Sequence, residues 1–335
     1  MNIYDIAKLA DVSIATVSRV VNGSSRVSEK TKQKVLAVMR QYEYTPNVFA
    51  RGLGLDTMKT VGILCPDISD SYMAKAVSCL EKQLHEYGYD CILGCSGSDQ
   101  EEKENHVRLL MSKRIDMLVL VGSTYAGNGR DGGDTDYIRE AAQKTPVFMI
   151  NGCVKGENIY CAFADDRLAT YQVTRALIRR GRRRILFLYD SDSFSARRKR
   201  EGYESALSEA GIPILGELKF FTRNDVEYTK NLLLEYSRSL EFDSALAVED
   251  GIAVGVLKYA RVKGLSVPRE LSVVGYNDSP LAVGCEPELT SVDSMLDVLC
   301  RRTVENMIGV VEGREGLSRE IRVPCGIIKR CTTDF

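Results

Sequence analysis

The sequence predicts a small all-α head followed by a larger α/β body of two parallel-sheet subdomains. Three observations carry this. The first 45 residues hold only helical spacings of apolar residues. From Thr60 onward, short β-branched runs alternate with helical ones, the grammar of βαβ units. That alternation recurs about ten times, more than one sheet comfortably takes. The length of 335 residues likewise asks for two or three folding units.

In chain order, IYDIAKLA (residues 3–10) places Ile3, Ile6, Ala7 and Ala10 on one helical face. Asp11-Val12-Ser13 breaks that face, and Ser13 suits the N-cap of a second helix, Ile14 to Val21. Asn22-Gly23 ends it. A third helix follows Ser28 and runs to about Tyr42, with Val35, Leu36, Val38 and Met39 as its stripe. Thr45-Pro46-Asn47 interrupts the pattern, so residues 46–59 read as a hinge and linker between a head (1–45) and a body (60–335).

In the body, VGILCP, YDCILG, MLVLVG, PVFMING, RILFLY, SALAVE and LSVVGY read as strands. Between them lie helical spacings such as YMAKAVSCLEKQLHEYG, ATYQVTRALIRRG and GIAVGVLKYARVKG. Ligands in open parallel sheets bind beyond the carboxyl ends of the strands. The candidate loops are therefore 67–73, 122–125, Asn151, 189–195, Glu249-Asp250 and 276–279.

Charge separates the two parts. Residues 1–60 carry nine Lys and Arg against five acids, although the whole chain is at −1. A basic head on an acidic body suits a phosphate contact made by the head alone. Helix, tight turn and helix form a helix-turn-helix layout, whose second helix enters the major groove. Ile14, Ala15 and Ser18 face outward there, with Arg19 one turn on and shaped to fork onto guanine. Val17, Val20 and Val21 face inward. The same spacing also fits a plain amphipathic three-helix bundle.

Other classes are poorly served. No apolar run is long enough for a membrane span, and the N-terminus lacks the pattern of a secretory signal, so a cytoplasmic protein is expected. The ten cysteines read as reduced thiols, and Cys91 and Cys95 have no histidine at ligand spacing, so neither metal nor cofactor is expected. There is no phosphate loop and no nucleophile elbow, and the two histidines fall on helix surfaces. No enzyme is expected.

IYDIAKLADVSIATVSRVVNG closely resembles the head of the lactose/galactose repressor (LacI/GalR) family. YTPNVFARGL resembles its hinge. VGILCPDISDSYM, ADDRLATYQVTRALIRRGRRRI, KREGYESAL, VPRELSVVGYND and RVPCGIIKRCTT extend the resemblance through nearly the whole chain. The resemblance implies a periplasmic-binding-protein-like body that senses a small molecule, a sugar or sugar derivative, and a homodimer on pseudo-palindromic double-stranded operator DNA. It implies a hinge helix with Asn47, Ala50 and Leu53 in the family pattern, Leu53 wedging into the minor groove. Tyr4, Ser13, Thr16, Ser18, Asn22 and Ser28 would contact or position phosphates. The dimer interface would lie near residues 72–84.

For the effector, the resemblance implies Asp67, Tyr72, Asn151, Lys199, Glu249, Asp250 and Asn277. Several depart from the family: Lys199 stands where Arg is usual, Asn277 where the first Asp of a pair is usual, and Glu249 where Asn is common. Lys does not replace the bidentate grip of Arg. Arg198 and Arg200 are the nearest substitutes if the loop shifts. Two effectors stay open, a plain sugar with rearranged bonds and a phosphorylated or otherwise altered one. A regulator answering chiefly to a partner protein, or a periplasmic-type binding protein, are the alternatives.

Overall fold

Why the head folds as three helices is visible in its caps. A computed structural model describes residues 1–21, 26–44, 57–127 and 134–335. Helix α1 (Ile3–Leu9) opens with a reciprocal cap: the Asn2 side chain accepts from the N–H groups of Tyr4 and Asp5, and Asp5 accepts from the Asn2 N–H at 2.9 Å. Asp11 then takes φ 50°, the left-handed conformation that turns the chain tightly into the next helix. Helix α2 (Ile14–Val21) is capped by Ser13, whose Oγ accepts from the Thr16 N–H at 3.2 Å. Helix α3 (Glu29–Gln41) is capped by Ser28 through the Thr31 N–H. Ile6, Ala7, Ala10, Val17, Val20 and Val35 close a small core among them.

The body contains two sheets of six strands each. The first holds β1 (Thr60–Cys65), β2 (Asp90–Cys95), β3 (Met117–Val121), β4 (Val147–Ile150), β5 (Ile159–Ala164) and β11 (Glu320–Val323), in the order β11-β5-β4-β3-β1-β2. The second holds β6 (Ile185–Tyr189), β7 (Lys219–Phe221), β8 (Ser244–Ala247), β9 (Ser272–Tyr276), β10 (Thr290–Asp293) and β12 (Gly326–Ile328), in the order β12-β10-β9-β8-β6-β7. β3 runs parallel to β1 and β4, and β8 parallel to β6 and β9; β12 is antiparallel to β10. Every residue of β3, β4, β8 and β9 is buried, as parallel strands covered by helices on both faces must be.

The crossover helices supply that cover. They are α4 (Ser71–Glu86), α5 (Gln100–Ser112) and α6 (Asp136–Ala142), then α7 (Asp166–Arg179), α8 (Phe194–Glu209), α9 (Val226–Tyr236) and α10 (Asp250–Lys263). The short α11 (Pro280–Gly284) and the long α12 (Leu296–Val311) complete the set. α4 turns Tyr72, Ala76, Leu80 and Leu84 into the core of the first sheet, where Leu296, Cys300, Val304 and Met307 of α12 meet them. α12 therefore returns to the first lobe after five of the six strands of the second sheet have been laid down.

The chain passes between the lobes three times, after β5, after β10 and between β11 and β12. The passages lie together. The Asp165 N–H donates to the Val323 carbonyl at 2.8 Å, and Ala164, Met295 and Val323 share one apolar cluster.

Candidate functional site

Loops from both sheets meet at one cavity of about 170 Å³. Each loop begins where a strand ends, which brings polar side chains to the rim of an apolar layer. The loop after β1 contributes Asp70 and the first turn of α4 contributes Tyr72, the turn after β3 contributes Ser123 and Thr124, and the end of β4 contributes Asn151. From the second lobe come Asp190, Ser193 and Lys199 after β6, Asn224 after β7, Glu249 after β8 and Asn277 after β9. Asn151 and Asn277 take φ 62° and 84°, a left-handed conformation that asparagine tolerates better than most residues.

The cavity wall is acidic around one cation. The Lys199 ammonium is buried, donates to the Val248 carbonyl at 3.0 Å and lies 3.6 Å from the centre of the Tyr276 ring. Glu249 accepts from the Asn277 side-chain amide at 2.7 Å. Burial pushes the Glu249 carboxyl up to about 8; Asp190 and Asp70 push the same way, and Lys199 and the Asn277 bond oppose them. Burial also raises Asp190, with Lys199 opposing. Tyr72 Oη, Thr124 Oγ1 and Asn151 Oδ1 are buried without a hydrogen-bond partner among the described residues, and belong to residues that line this cavity.

Behind the wall sits a buried support. Asp166 accepts from Ser195 Oγ at 2.7 Å and from Tyr276 Oη at 2.8 Å. Burial raises its carboxyl, with Lys199 and the two hydroxyls opposing. Tyr276→Phe keeps the ring under Lys199 but removes one of those two bonds. We expect it to lower unfolding stability by about 2 kcal/mol in urea titration of the full chain. An unchanged midpoint would show that Asp166 does not depend on this hydroxyl.

Bonds between the lobes include Asn224 Nδ2 donating to Asp70 Oδ2 at 3.5 Å, both residues of the cavity wall, and Arg197 Nη1 donating to the Gly127 carbonyl at 3.1 Å.

Of the effector residues expected from sequence, the structure brings Tyr72, Asn151, Lys199, Glu249 and Asn277 to the cavity wall. Two expectations are corrected. Asp67 is exposed and accepts from the Ser69 N–H at 2.8 Å in a local turn; Asp70, three residues on, holds the wall position and caps α4. Asp250 is buried in a structural role, accepting from Ser291 Oγ and the Ser279 N–H, each at 2.6 Å. Neither candidate substitute for Lys199 reaches the cavity. Arg198 lies 3.8 Å from Asp165 and near the Phe163 and Phe194 rings, and Arg200 pairs with Asp192 at 3.1 Å. Adjacent helical positions point in different directions, so only Lys199 enters. Asn224 was missed because three-residue β7 gives almost no alternation to read.

In the head, α2 leaves Ile14, Ala15 and Arg19 exposed, and Thr16 and Ser18 half-buried. Tyr4 is exposed. Ser13 Oγ pairs with Thr16 Oγ1 at 2.9 Å, and Ser28 Oγ with Thr31 Oγ1 at 2.8 Å, so these hydroxyls have local structural work. Asn22, Asn47, Ala50 and Leu53 lie outside the described residues.

Residues 2–47 match the lacI family of bacterial regulatory proteins, and residues 58–331 match periplasmic binding proteins and the sugar-binding domain of the LacI family. A helix-turn-helix-type transcriptional regulator from Lachnoclostridium phytofermentans is 44% identical over 336 residues, covering 100% of both chains. The regulator GalR of Escherichia coli is 29% identical, covering 93% of this chain and 90% of its own. Among solved structures, a lac repressor dimer bound to operator and an anti-inducer superposes with a TM-score of 0.88 over 99% of each chain, at 23% identity. The transcription regulator CcpA of Lactococcus lactis does so at 0.72 and 26%, covering 82% of this chain and 99% of its own.

The class is thus a helix-turn-helix head joined to a two-lobed sugar-binding-type domain. The chain belongs to the LacI family of bacterial transcription regulators, and is a DNA-binding regulator rather than an enzyme. No helix among the described residues is long and apolar enough to cross a membrane.

Proposed function

We propose that the protein is a homodimeric repressor. Two heads (1–45) and hinges (46–59) read a pseudo-palindromic operator, and the body (60–335) carries the dimer contact and binds an effector between its lobes. The carrying observation is the cavity wall. Asp70, Asp190 and Glu249 supply carboxylates, Asn151, Asn224 and Asn277 supply amides, and Tyr72 and Thr124 supply unpartnered hydroxyls. Such a set pairs well with the many hydroxyls of a neutral carbohydrate. A phosphate would face three acids with Lys199 as the one cation lining the cavity among the described residues, so the phosphorylated alternative is disfavoured.

Closure on the ligand shifts the lobes because the ligand binds one arrangement better. Calorimetry of the full chain against matched neutral mono- and disaccharides and their phosphate esters tests this. Binding confined to phosphate esters would overturn it. The outward face of α4, with Lys75, Ser78, Glu81 and Lys82 exposed, is the proposed dimer contact.

On DNA, α2 lies in the major groove, with Ile14 and Ala15 against apolar base edges and Arg19 on guanine. Tyr4, Ser13, Thr16, Ser18 and Ser28 stand near phosphates. Arg19→Ala is expected to weaken binding to a selected operator by about 1–3 kcal/mol and to erase preference at one base pair. Selection from random duplexes at fixed salt measures both. Uniform weakening with unchanged base preference would reassign Arg19 to a phosphate.

A further inference from the structure

Neighbouring strands β1 and β2 end on Cys65 and Cys95. Their sulfur atoms stand 3.9 Å apart. The Ser96 N–H donates to the Cys65 carbonyl at 3.0 Å, which holds the two strand ends in step. Adjacent strands lie about 4.8 Å apart, within the Cα separation a disulfide spans. The two sulfurs must close from 3.9 Å to about 2.05 Å for a bond to form. Cys65 is fully buried and Cys95 is exposed, so one sulfur is reachable and the other waits beneath it.

We propose that Cys65 and Cys95 form a reversible intramolecular disulfide on exposure to hydroperoxides. The exposed Cys95 sulfur attacks the peroxide. The O–O bond breaks, water or an alcohol leaves, and Cys95 becomes a sulfenic acid. The Cys65 sulfur then displaces hydroxide from Cys95, its proton leaves with that hydroxide as water, and the S–S bond forms. Two thiols are oxidised and one peroxide is reduced. Burial, and then the neighbouring Cys95, push the Cys65 thiol up to about 12, which keeps Cys65 from making the first attack on the peroxide.

The bond would act on the effector cavity. Cys65 leads directly into the loop that ends on Asp70, the cap of α4, with Tyr72 in that helix's first turn. Ser96, beside Cys95, bonds Tyr125 Oη at 2.6 Å in the turn that carries Ser123 and Thr124.

The test treats the reduced full-length chain with one equivalent of hydrogen peroxide, followed by intact mass and peptide mapping. The expected result is a loss of two hydrogens, a Cys65–Cys95 cross-link within one chain, and its reversal by dithiothreitol. Cys95→Ser should abolish the cross-link, and Cys331→Ser, at another exposed cysteine, should leave it intact. Cys65→Ser should strand Cys95 as sulfenic acid, raising dimedone labelling several-fold. A Cys95–Cys95 link between two copies, or direct passage of Cys95 to sulfinic acid in the unsubstituted chain, would overturn the proposal.

Discussion

Gly202→Ala should destabilise the protein by about 3–5 kcal/mol, above the usual cost of an overpacked core. Gly202 lies where α8 crosses α7, and an added Cβ would overlap the Arg167 carbonyl oxygen and sit 2.9 Å from the Tyr171 nitrogen. Both are backbone atoms, so no side chain can rotate away and one helix must move. Packed interiors transmit such a shift. α7 carries Asp166 and α8 carries Ser195 and Lys199, so the cavity wall moves with them. Effector affinity should therefore fall along with the urea midpoint. Gly216→Ala is the control, because nothing lies within 4 Å of a Cβ there. If Gly202→Ala matches that control, the two helices cross more loosely than these distances imply.

Glu249→Gln should stabilise the protein, and only at high pH. The Glu249 carboxyl is raised from 4.5 to about 8 in the fold. Between those values the folded chain holds a proton that the unfolded chain has released. Stability therefore falls as pH rises through this window. The cost is absent below about 4.5 and complete above about 8. Glutamine removes it and can still accept the Asn277 bond. Denaturant titrations should show parent and variant nearly equal at pH 4.5, and the variant ahead by on the order of 3 kcal/mol at pH 8.5. A constant difference at both pH values would mean that Glu249 ionises as an ordinary carboxylate.

Much of this architecture is legible in the sequence, because it rests on local chemistry. The helices of the head follow from Ser13, Ser28 and the apolar spacing around Val17 and Val35. Most strands around which the cavity is built are short continuous apolar runs, and the loops that follow them could be named in advance. Edge strands were harder. β7 and β12 have three residues each and half-exposed faces, so neither periodicity nor composition marks them. α12 differs, since Leu296, Leu299, Cys300, Val304 and Met307 carry a plain helical stripe. What no local pattern reveals is that it belongs to the first lobe. The same limit explains Asp67, because choosing between it and Asp70 depends on which carboxylate caps α4.

The threefold passage between lobes bears on synthesis. Domains generally fold as they emerge from the ribosome, at about 5–20 residues per second. Here the first sheet cannot gain β11, nor its core gain α12, until more than a hundred intervening residues of the second lobe have been made. Until then an apolar face around Ala76, Leu80 and Met117 lacks its partner. The lobe begun first must wait until most of the second has been made, and a chain truncated before residue 296 would leave that face bare.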